Sequence, residues 1–220
     1  SLMDTDPERL ALMSKFAKKL SRDTGTNIKV ETTLDRREAL DGSDYVLTTI
    51  RVGDSYERDI AIPLKYGVDQ SVGDTVGPGG VFKALRTAPV LMDICEDIED
   101  VAPNATLLNY TNPMAIACWA MAEATDVPTI GLCHSVQHTT ADLAGYIGVS
   151  KDRVKGWVAG INHLAWFLRF EVDGQDAYPQ LFEAMENPEI FSRDTVRFEV
   201  MKHFGYFVTE STRHMSEYTP

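Results

Sequence analysis

Cysteine is scarce in this 220-residue chain, and long apolar runs are missing from it. The three cysteines, Cys95, Cys118 and Cys133, are an odd number at irregular spacing, which gives no disulfide framework and favours a reducing compartment. No apolar run approaches the roughly 18 residues that a membrane span needs, and no charged-then-apolar leader opens the sequence. We therefore expect a cytoplasmic protein without a membrane partner.

Basic residues are also few, because 21 Lys and Arg face 33 Asp and Glu and leave a net charge of -12. This charge repels phosphate backbones, so we expect no nucleic-acid partner. Hydrophobic residues make up 44% and charged residues 25%, as in an ordinary globular protein. The length predicts one large domain, or one domain and part of a second.

Strand and helix patterns alternate over residues 1–150. Asp6 before Pro7 predicts an N-cap with proline at the first helical position. Strands are predicted up to Asp4 and at 28–30, 45–50, 106–110 and 129–133, with 45–50 buried on both faces. Helices are predicted at 36–40, 81–99, 114–124 and 135–147, the last capped by Ser135. This alternation predicts an α/β fold with a doubly wound, Rossmann-like parallel sheet.

The pattern changes after Lys151. Residues 157–159 and 164–172 are strand-like, and Asp173-Gly174 is a hairpin turn signal. We place a domain boundary near Ser150 and assign 151–220 to the start of a mixed α+β domain. Both domains are expected to be incomplete. A dinucleotide domain normally opens with a strand and a glycine-rich phosphate loop, which this sequence lacks, and the sequence ends in a segment with no closing helix.

Two stretches near the predicted sheet edge could contact a nucleotide. Asp4 ends a strand where such folds place the carboxylate that binds the adenosine ribose, although this residue or Asp6 could also simply cap the helix. The glycines of 77–80 precede a helix and offer backbone N–H groups to an anion, although such a run is also an ordinary turn. Asp74 and Thr75 in the same loop are polar candidates facing the cleft.

A thiol and an imidazole are candidates for a metal site. Cys133 and His134 end a predicted strand, and His163 lies thirty residues after Cys133, where one strand passes into the next. Thiolate and imidazole together suit Mn, Fe, Co, Ni or Zn. The alternative is a buried cysteine that acts as a small hydrophobe and a hydrogen-bonded core histidine. The spacing alone does not decide between them.

Other polar residues stand at a strand end, in a predicted polar loop, or near the end of the sequence. They are Asn112, Arg58, His214, Glu217 and Tyr218. Residues in charged loops are usually solvated surface, so each of these also has a non-functional interpretation.

Six segments occur in a fixed order: LMDTDPERL, GDTVGPGGVFKALRT, LNYTNPMA, IGLCHSVQ, AGINHLAW and FGYFVTESTRHMSEYTP. Together they resemble glycoside hydrolase family 4, whose members are nicotinamide- and metal-dependent glycosidases related in fold to lactate and malate dehydrogenases. GLCHSVQ, AGINH and VTES with a following histidine and EY are most similar to the α-galactosidase (melibiase) subgroup. An α-galacturonidase branch shares GDTVGPGG and NYTNPM, and α-glucosidases share the cysteine-histidine pair.

The resemblance implies roles for individual residues. Cys133 and His163 would be metal ligands, and His134 the general acid. Tyr218 would be the base, although some members use an aspartate nearby. The remaining implied contacts are with the sugar for Asn112 and Arg58, and with NAD for Asp4 and Asp74.

The reaction that the resemblance implies is hydrolysis of an α-galactoside by a redox route, which departs from the usual pair of carboxylates. NAD takes a hydride from C3, a base takes the C2 proton, the aglycone leaves, water adds and the hydride returns. The implied metal is manganese, and the implied assembly is a homodimer or homotetramer. The alternatives are an α-galacturonidase or α-glucosidase of the same family, an NAD-dependent hydroxy-acid dehydrogenase, and a non-catalytic nucleotide-binding protein.

Overall fold

Strand and helix alternate in the first part of the chain, as predicted. The computed structural model describes residues 1–53 and 57–219. Its elements are, in order, β1 (Leu2–Met3), α1 (Pro7–Asp23), β2 (Thr32–Thr33), α2 (Arg36–Leu40), β3 (Tyr45–Thr48), α3 (Glu57–Leu64), α4 (Gly77–Val101), β4 (Thr106–Asn109), α5 (Met114–Ala124), β5 (Thr129–Gly131) and α6 (Ser135–Tyr146). The start of α1 is confirmed, because the Asp6 carboxylate accepts hydrogen bonds from the backbone N–H groups of Glu8 and Arg9.

The strands of this part pair in parallel. β3, β4 and β5 form one sheet in that order, and β1 pairs with β2 in a second sheet. A groove lined by residues of β1, α2 and β3 lies between the two sheets. Parallel strands joined by helices confirm the predicted Rossmann-like α/β fold, and they bring the carboxyl ends of β3, β4 and β5 to one edge.

Antiparallel pairing takes over after a 3-10 turn at Lys151–Arg153. The elements that follow are β6 (Val154–Ile161), β7 (Leu164–Val172), β8 (Gln175–Asp176), α7 (Tyr178–Met185), α8 (Pro188–Phe191), α9 (Thr195–Phe204), α10 (Thr212–Met215) and a 3-10 turn at Ser216–Tyr218. β6, β7 and β8 form an antiparallel sheet, and the turn between β7 and β8 is the predicted Asp173-Gly174. The mixed α+β character of this part is confirmed.

Two hydrophobic clusters form the core. The first packs α4 and α5 against the parallel sheet and includes the fully buried Leu91, Leu107 and Met121. The second packs α6, α7 and α9 against β7 and includes Leu143 and Phe167. The helix α6 follows β5 in the chain yet packs into the second cluster. The boundary near Ser150 stays a prediction. Within the described ranges, no helix is both long enough and apolar enough to cross a bilayer.

Two strand predictions were wrong in detail. No strand forms at 28–30, because the Ile28 N–H donates to the Ser21 hydroxyl of α1 (2.8 Å) and β1 pairs with Thr32–Thr33 instead. β3 is not buried on both faces, since Tyr45 and Leu47 are 73% and 56% exposed. Hydrophobic character alone therefore did not identify which face of β3 is covered.

Two helix predictions were wrong as well. Ser135 is the first residue of α6 and not its cap, because its hydroxyl donates to the distant Glu210 carboxylate. Arg58 lies in α3 and not in a loop. The error at Ser135 involves a distant residue that local sequence patterns do not reveal.

Candidate metal centre

Three potential metal-ligand atoms converge beyond the carboxyl end of β5. Cys133 follows β5, His163 forms the turn between β6 and β7, and Glu210 follows a segment that pairs with β7 through Val208. The sulfur of Cys133, a ring nitrogen of His163 and a carboxylate oxygen of Glu210 all lie within 4.8 Å of one another. The fold thus brings the two residues expected as ligands together with a third; we call these three residues the metal cluster.

Glu210 had no assigned role at the level of sequence. Its side chain is only 3% exposed; one carboxylate oxygen accepts a hydrogen bond from the Ser135 hydroxyl (2.6 Å), and the other lies 3.8 Å from the Cys133 sulfur. A buried carboxylate is costly unless a positive charge compensates it. His214 Nδ1 lies 3.9 Å from Glu210, but burial lowers the pKa of His214 and so disfavours its cationic form. The signal that could have identified Glu210 was its place in the VTES segment.

His163 is held rigidly. Its backbone is left-handed with φ 47°, which few non-glycine residues adopt, and its side chain is 4% exposed. The Nδ1 atom lies 2.6 Å from the Thr75 hydroxyl, so Nε2 is the atom free of that contact. The His214 ring packs against it at 4.2 Å between centroids, and Asp74, His163 and His214 form a second group of potential ligands, also within 4.8 Å.

Asp74 and Asn112 adjoin this cluster. The Asn112 side-chain amide donates to Asp74 Oδ2 (3.0 Å), and the ammonium group of Lys83 lies 3.8 Å from the same oxygen. Burial lowers the pKa of Lys83, while the negative charge of Asp74 opposes that shift. Asp74, expected as a cofactor contact, therefore lies beside His163, and its role toward NAD stays a prediction.

Tyr218 contacts the backbone next to the metal cluster. Its hydroxyl donates to the carbonyl oxygen of Asn162 (2.9 Å), the residue before His163. Burial, together with the negative charges of Glu217, Glu210 and Asp74, raises the pKa of Tyr218 to about 12. A general base needs a lower pKa, so Tyr218 could act as one only with a cation at the metal cluster.

Glu217 joins the last described residues to the loop before α4. Its Oε1 accepts hydrogen bonds from the backbone N–H groups of Val72 and Gly73 (2.6 and 2.8 Å). The contact fixes the 3-10 turn that carries Tyr218 against the loop that carries Asp74.

The other residues singled out by sequence lie in different surroundings. The exposed His134 ring stacks between Tyr110 and His138, with centroids 5.0 and 5.9 Å away. Asp4 accepts a hydrogen bond from the backbone N–H of Asp6 (2.9 Å), and it is Asp6, not Asp4, that caps α1. Arg58 lines a groove of about 550 Å³ between α3 and α4. The catalytic, cofactor and substrate roles of these three residues stay predictions.

Family models match both parts of the chain. Residues 1–149 match the model of family 4 glycosyl hydrolases, and residues 158–220 match that of the family 4 glycosyl hydrolase C-terminal domain. An α-galactosidase of Bacillus subtilis (strain 168) is 44% identical over 224 residues, covering 100% of this chain and 52% of the relative. An α-galactosidase of Rhizobium meliloti (strain 1021) is 40% identical over 225 residues, covering 100% and 46%. The chain thus spans about half the length of the curated relatives it matches.

Solved structures agree with the fold. A 6-phospho-beta glucosidase from Thermotoga maritima, solved with manganese, NAD+ and glucose-6-phosphate, is 26% identical with a TM-score of 0.78, over 98% of this chain and 51% of that one. A lactate dehydrogenase from Eimeria maxima is 17% identical with a TM-score of 0.62, over 98% and 63%. The second likeness supports the dehydrogenase-like fold alone.

Proposed function

Because the chain belongs to family 4 of the glycosyl hydrolases, we propose that its activity is the hydrolysis of α-galactosides with NAD and a divalent metal, manganese, as cofactors. The observation that carries the proposal is the convergence of Cys133, His163 and Glu210 within 4.8 Å at the carboxyl edge of a parallel sheet. The α-galactosidase relatives favour this sugar over glucose and galacturonic acid.

The chemistry of the metal cluster fits a divalent cation. A thiolate, a neutral imidazole and a carboxylate suit a borderline metal, and two negative charges balance its charge inside the protein. The contact of Thr75 with Nδ1 leaves Nε2 of His163 for coordination. Three protein ligands also leave positions for substrate oxygens, as a catalytic site requires.

The edge of the parallel sheet fits a dinucleotide. Ligands of such folds bind outside the carboxyl ends of the strands, where Asp4 follows β1 and Cys133 follows β5. A cofactor that lies along this edge would have its ribose near Asp4 and its nicotinamide near the metal cluster. The Asp4 side chain is 25% exposed, and its carboxylate can accept further hydrogen bonds, such as those of a ribose, besides the one from Asp6.

Each candidate side chain has a separate task in this proposal. When bound, NAD supplies a hydride acceptor for C3 of the sugar, and the metal supplies a Lewis acid for the C2 and C3 oxygens. Asn112 orients a sugar hydroxyl, Tyr218 accepts the C2 proton, and His134 donates a proton to the departing oxygen. Arg58 is proposed as a further sugar contact.

The test is a substrate panel. Nitrophenyl α-galactoside, α-glucoside and α-galacturonide are incubated with Mn²⁺, NAD and reductant, and then with each of the three withheld. We expect release of nitrophenol from the galactoside only when all three are present. Equal release without NAD or metal would exclude the redox route.

Two further measurements separate the alternatives. The NADH absorbance at 340 nm should not grow with turnover, because the hydride returns to the sugar; steady growth would instead indicate a dehydrogenase. Cys133→Ser and His163→Asn should lose activity, and asparagine is chosen because it tolerates the left-handed backbone at 163. Cys118→Ser, which changes a thiol outside the metal cluster, is the matched control.

We also propose a cytoplasmic location and assembly as a homodimer or homotetramer. The reducing cytoplasm would keep the Cys133 thiol from the oxidation that would remove a ligand. Light scattering after size-exclusion chromatography measures the assembly directly, and a monomeric mass at micromolar concentration would contradict it.

A further inference from the structure

The Thr75 hydroxyl lies between an acid and a metal-ligand candidate. It donates to Asp74 Oδ1 at 2.9 Å and lies 2.6 Å from Nδ1 of His163. Both Thr75 and His163 are 4% exposed, so water does not compete strongly for either group. The three side chains therefore form a chain of hydrogen bonds that ends at the metal cluster.

A hydroxyl has one proton, and the two contacts of Thr75 compete for it. The carboxylate of Asp74 is the stronger acceptor, because a charged acceptor strengthens a hydrogen bond. Asp74 is itself placed to accept, since its other oxygen receives the Asn112 amide and lies near the Lys83 ammonium. The proton of Thr75 thus points to Asp74, and the hydroxyl oxygen must accept from His163.

We propose that Thr75 is a positioning residue: with Asp74, it holds neutral His163 as the Nδ1–H tautomer and leaves the Nε2 lone pair for the metal. The metal part of this inference rests on the proposed function, whereas the tautomer does not. Partners that fix a ligand histidine in this way typically change metal affinity by about 10- to 100-fold.

The packing of the loop supports a fixed position for Thr75. A Cβ on Gly80 of α4 would lie 2.5 Å from the Thr75 carbonyl carbon, so the helix start rests directly on this residue. Gln70 holds the loop from the other side, because its side chain bonds both Val76 O and Gly79 N (2.9 Å each). Thr75 is consequently placed by its own backbone and does not depend on His163 for its position.

The tautomer is measured by long-range ¹H–¹⁵N NMR on metal-free protein at pH 8, above the ordinary imidazole pKa of about 6.5. His163→Asn identifies the His163 signals among those of the five histidines. We expect Nδ1 to be protonated and Nε2 to be bare. Thr75→Val should move the ring toward the Nε2–H form, whereas Thr75→Ser should keep Nδ1–H.

Two further variants keep the test decisive. Thr48→Val removes another buried threonine hydroxyl, one that donates to Asn109, and should leave His163 unchanged. Asp74→Asn weakens the competing acceptor without changing shape, so it should raise the Nε2–H fraction even if Thr75→Val does not fold. A wild-type His163 with Nε2–H, or a tautomer unchanged by Thr75→Val and Asp74→Asn, overturns the proposal.

A titration with Mn²⁺ followed by electron paramagnetic resonance separates this inference from the proposed function. We expect the Kd for Mn²⁺ to rise about tenfold in Thr75→Val and to stay within about twofold of wild type in Thr75→Ser. If His163 has the Nδ1–H tautomer and loses it in Thr75→Val and Asp74→Asn, but the protein does not bind Mn²⁺, the hydrogen-bond chain is supported and the metal assignment is rejected.

Discussion

In the metal-free protein the Tyr218 phenol is harder to ionise than an ordinary tyrosine, whereas a general base must ionise more readily. Its pKa is raised to about 12 by burial and by three nearby carboxylates, so the folded state favours the neutral ring. The raised pKa of Tyr218 contributes stability to the folded state that is fully present below the ordinary tyrosine pKa of about 10. This contribution is lost as the pH rises toward 12. A cation at the metal cluster would act in the other direction and lower the pKa.

We therefore predict that Mn²⁺ shifts the phenolate titration of Tyr218 to lower pH. The measurement is absorbance at 295 nm between pH 8 and 12, with and without metal, and Tyr218→Phe identifies the shifted component. Tyr178 is the internal control, because burial likewise raises its pKa to about 12 while its hydroxyl donates to the Phe167 carbonyl, in the second hydrophobic cluster. A metal effect that survives Tyr218→Phe would show that another group titrates.

Individual site residues could be predicted only in part from sequence. The thiol of Cys133 and the imidazole of His163 are chemically distinctive, so they were identified before their proximity was known. Glu210 was missed because acidic residues are common and its partner Ser135 lies 75 positions away in the chain. Thr75 was noted only as a polar candidate, since a hydroxyl acquires a role through the atoms that face it.

Among the elements, the start of α4 determines where the loop before it lies. A Cβ on Gly80 would meet the Thr75 carbonyl carbon at 2.5 Å, and backbone atoms cannot move aside as a flexible side chain could. We predict that Gly80→Ala displaces Thr75 and weakens Mn²⁺ binding by about tenfold. Gly145→Ala in α6, where a Cβ meets nothing within 4 Å, should leave the Kd for Mn²⁺ unchanged. Equal affinity in both variants would mean that the loop does not support the metal cluster.

A buried ion pair lies at the start of α9, and its arginine also contacts α6. The Arg197 guanidinium lies 2.5 Å from the Asp194 carboxylate, and their side chains are 10% and 7% exposed; Arg197 also donates to Thr139 of α6 (2.9 Å). We predict that Arg197→Met lowers the free energy of unfolding by about 3–5 kcal/mol, because Asp194 stays buried without its positive partner and keeps, among the described residues, only the hydrogen bond from the Tyr146 hydroxyl. Urea denaturation measures the loss.

Two comparisons test the reason for that loss. Adding Asp194→Asn to Arg197→Met should recover part of the stability, since no unpaired charge then remains. Arg153→Met, which breaks the exposed pair with Asp173, should change the unfolding midpoint little. Similar losses for the buried and exposed pairs would contradict the role of burial.

Element prediction succeeded where the signal was local. α1 with its Asp6 cap and the Asp173-Gly174 turn follow from short-range capping and turn chemistry, and both formed as expected. The strand at 28–30 did not form, because the side chain of Ser21 takes the Ile28 N–H and the pairing partner of β1 lies farther along. Contacts between distant segments decided that element, and no local pattern encodes them.

At the scale of the whole molecule, the parallel sheet could be predicted from the sequence. The position of the antiparallel part against the edge of that sheet could not. Alternating strands and helices imply that polar residues after β4 and β5 share an edge, as Asn112 and Cys133 do. The way in which β6, β7 and the segment around Glu210 fold back onto that edge depends on the second hydrophobic cluster, in which α6 packs against β7. Packing of that kind leaves only a hydrophobic pattern in the sequence.

The candidate ligands of the metal cluster come from both parts of the molecule. Cys133 belongs to the edge of the parallel sheet, whereas His163 and Glu210 belong to the antiparallel part. A metal bound there would hold the two parts together, and it would stabilise the folded chain because the unfolded chain offers no formed site. Free Mn²⁺ at a hundred times its Kd should add about 2.7 kcal/mol, or about 5–10 °C in Tm for a chain of this size.

Differential scanning fluorimetry can measure this shift, provided that general attraction of cations to a chain of net charge -12 is separated from binding at the metal cluster. Mg²⁺ carries the same charge and prefers oxygen ligands, so it should raise Tm less than Mn²⁺ does. Cys133→Ser should lose the difference between the two metals, and Cys118→Ser should keep it. If Mg²⁺ matches Mn²⁺, or if Cys133→Ser retains the full shift, the stabilisation comes from surface charge and the thiolate, imidazole and carboxylate do not act as one site.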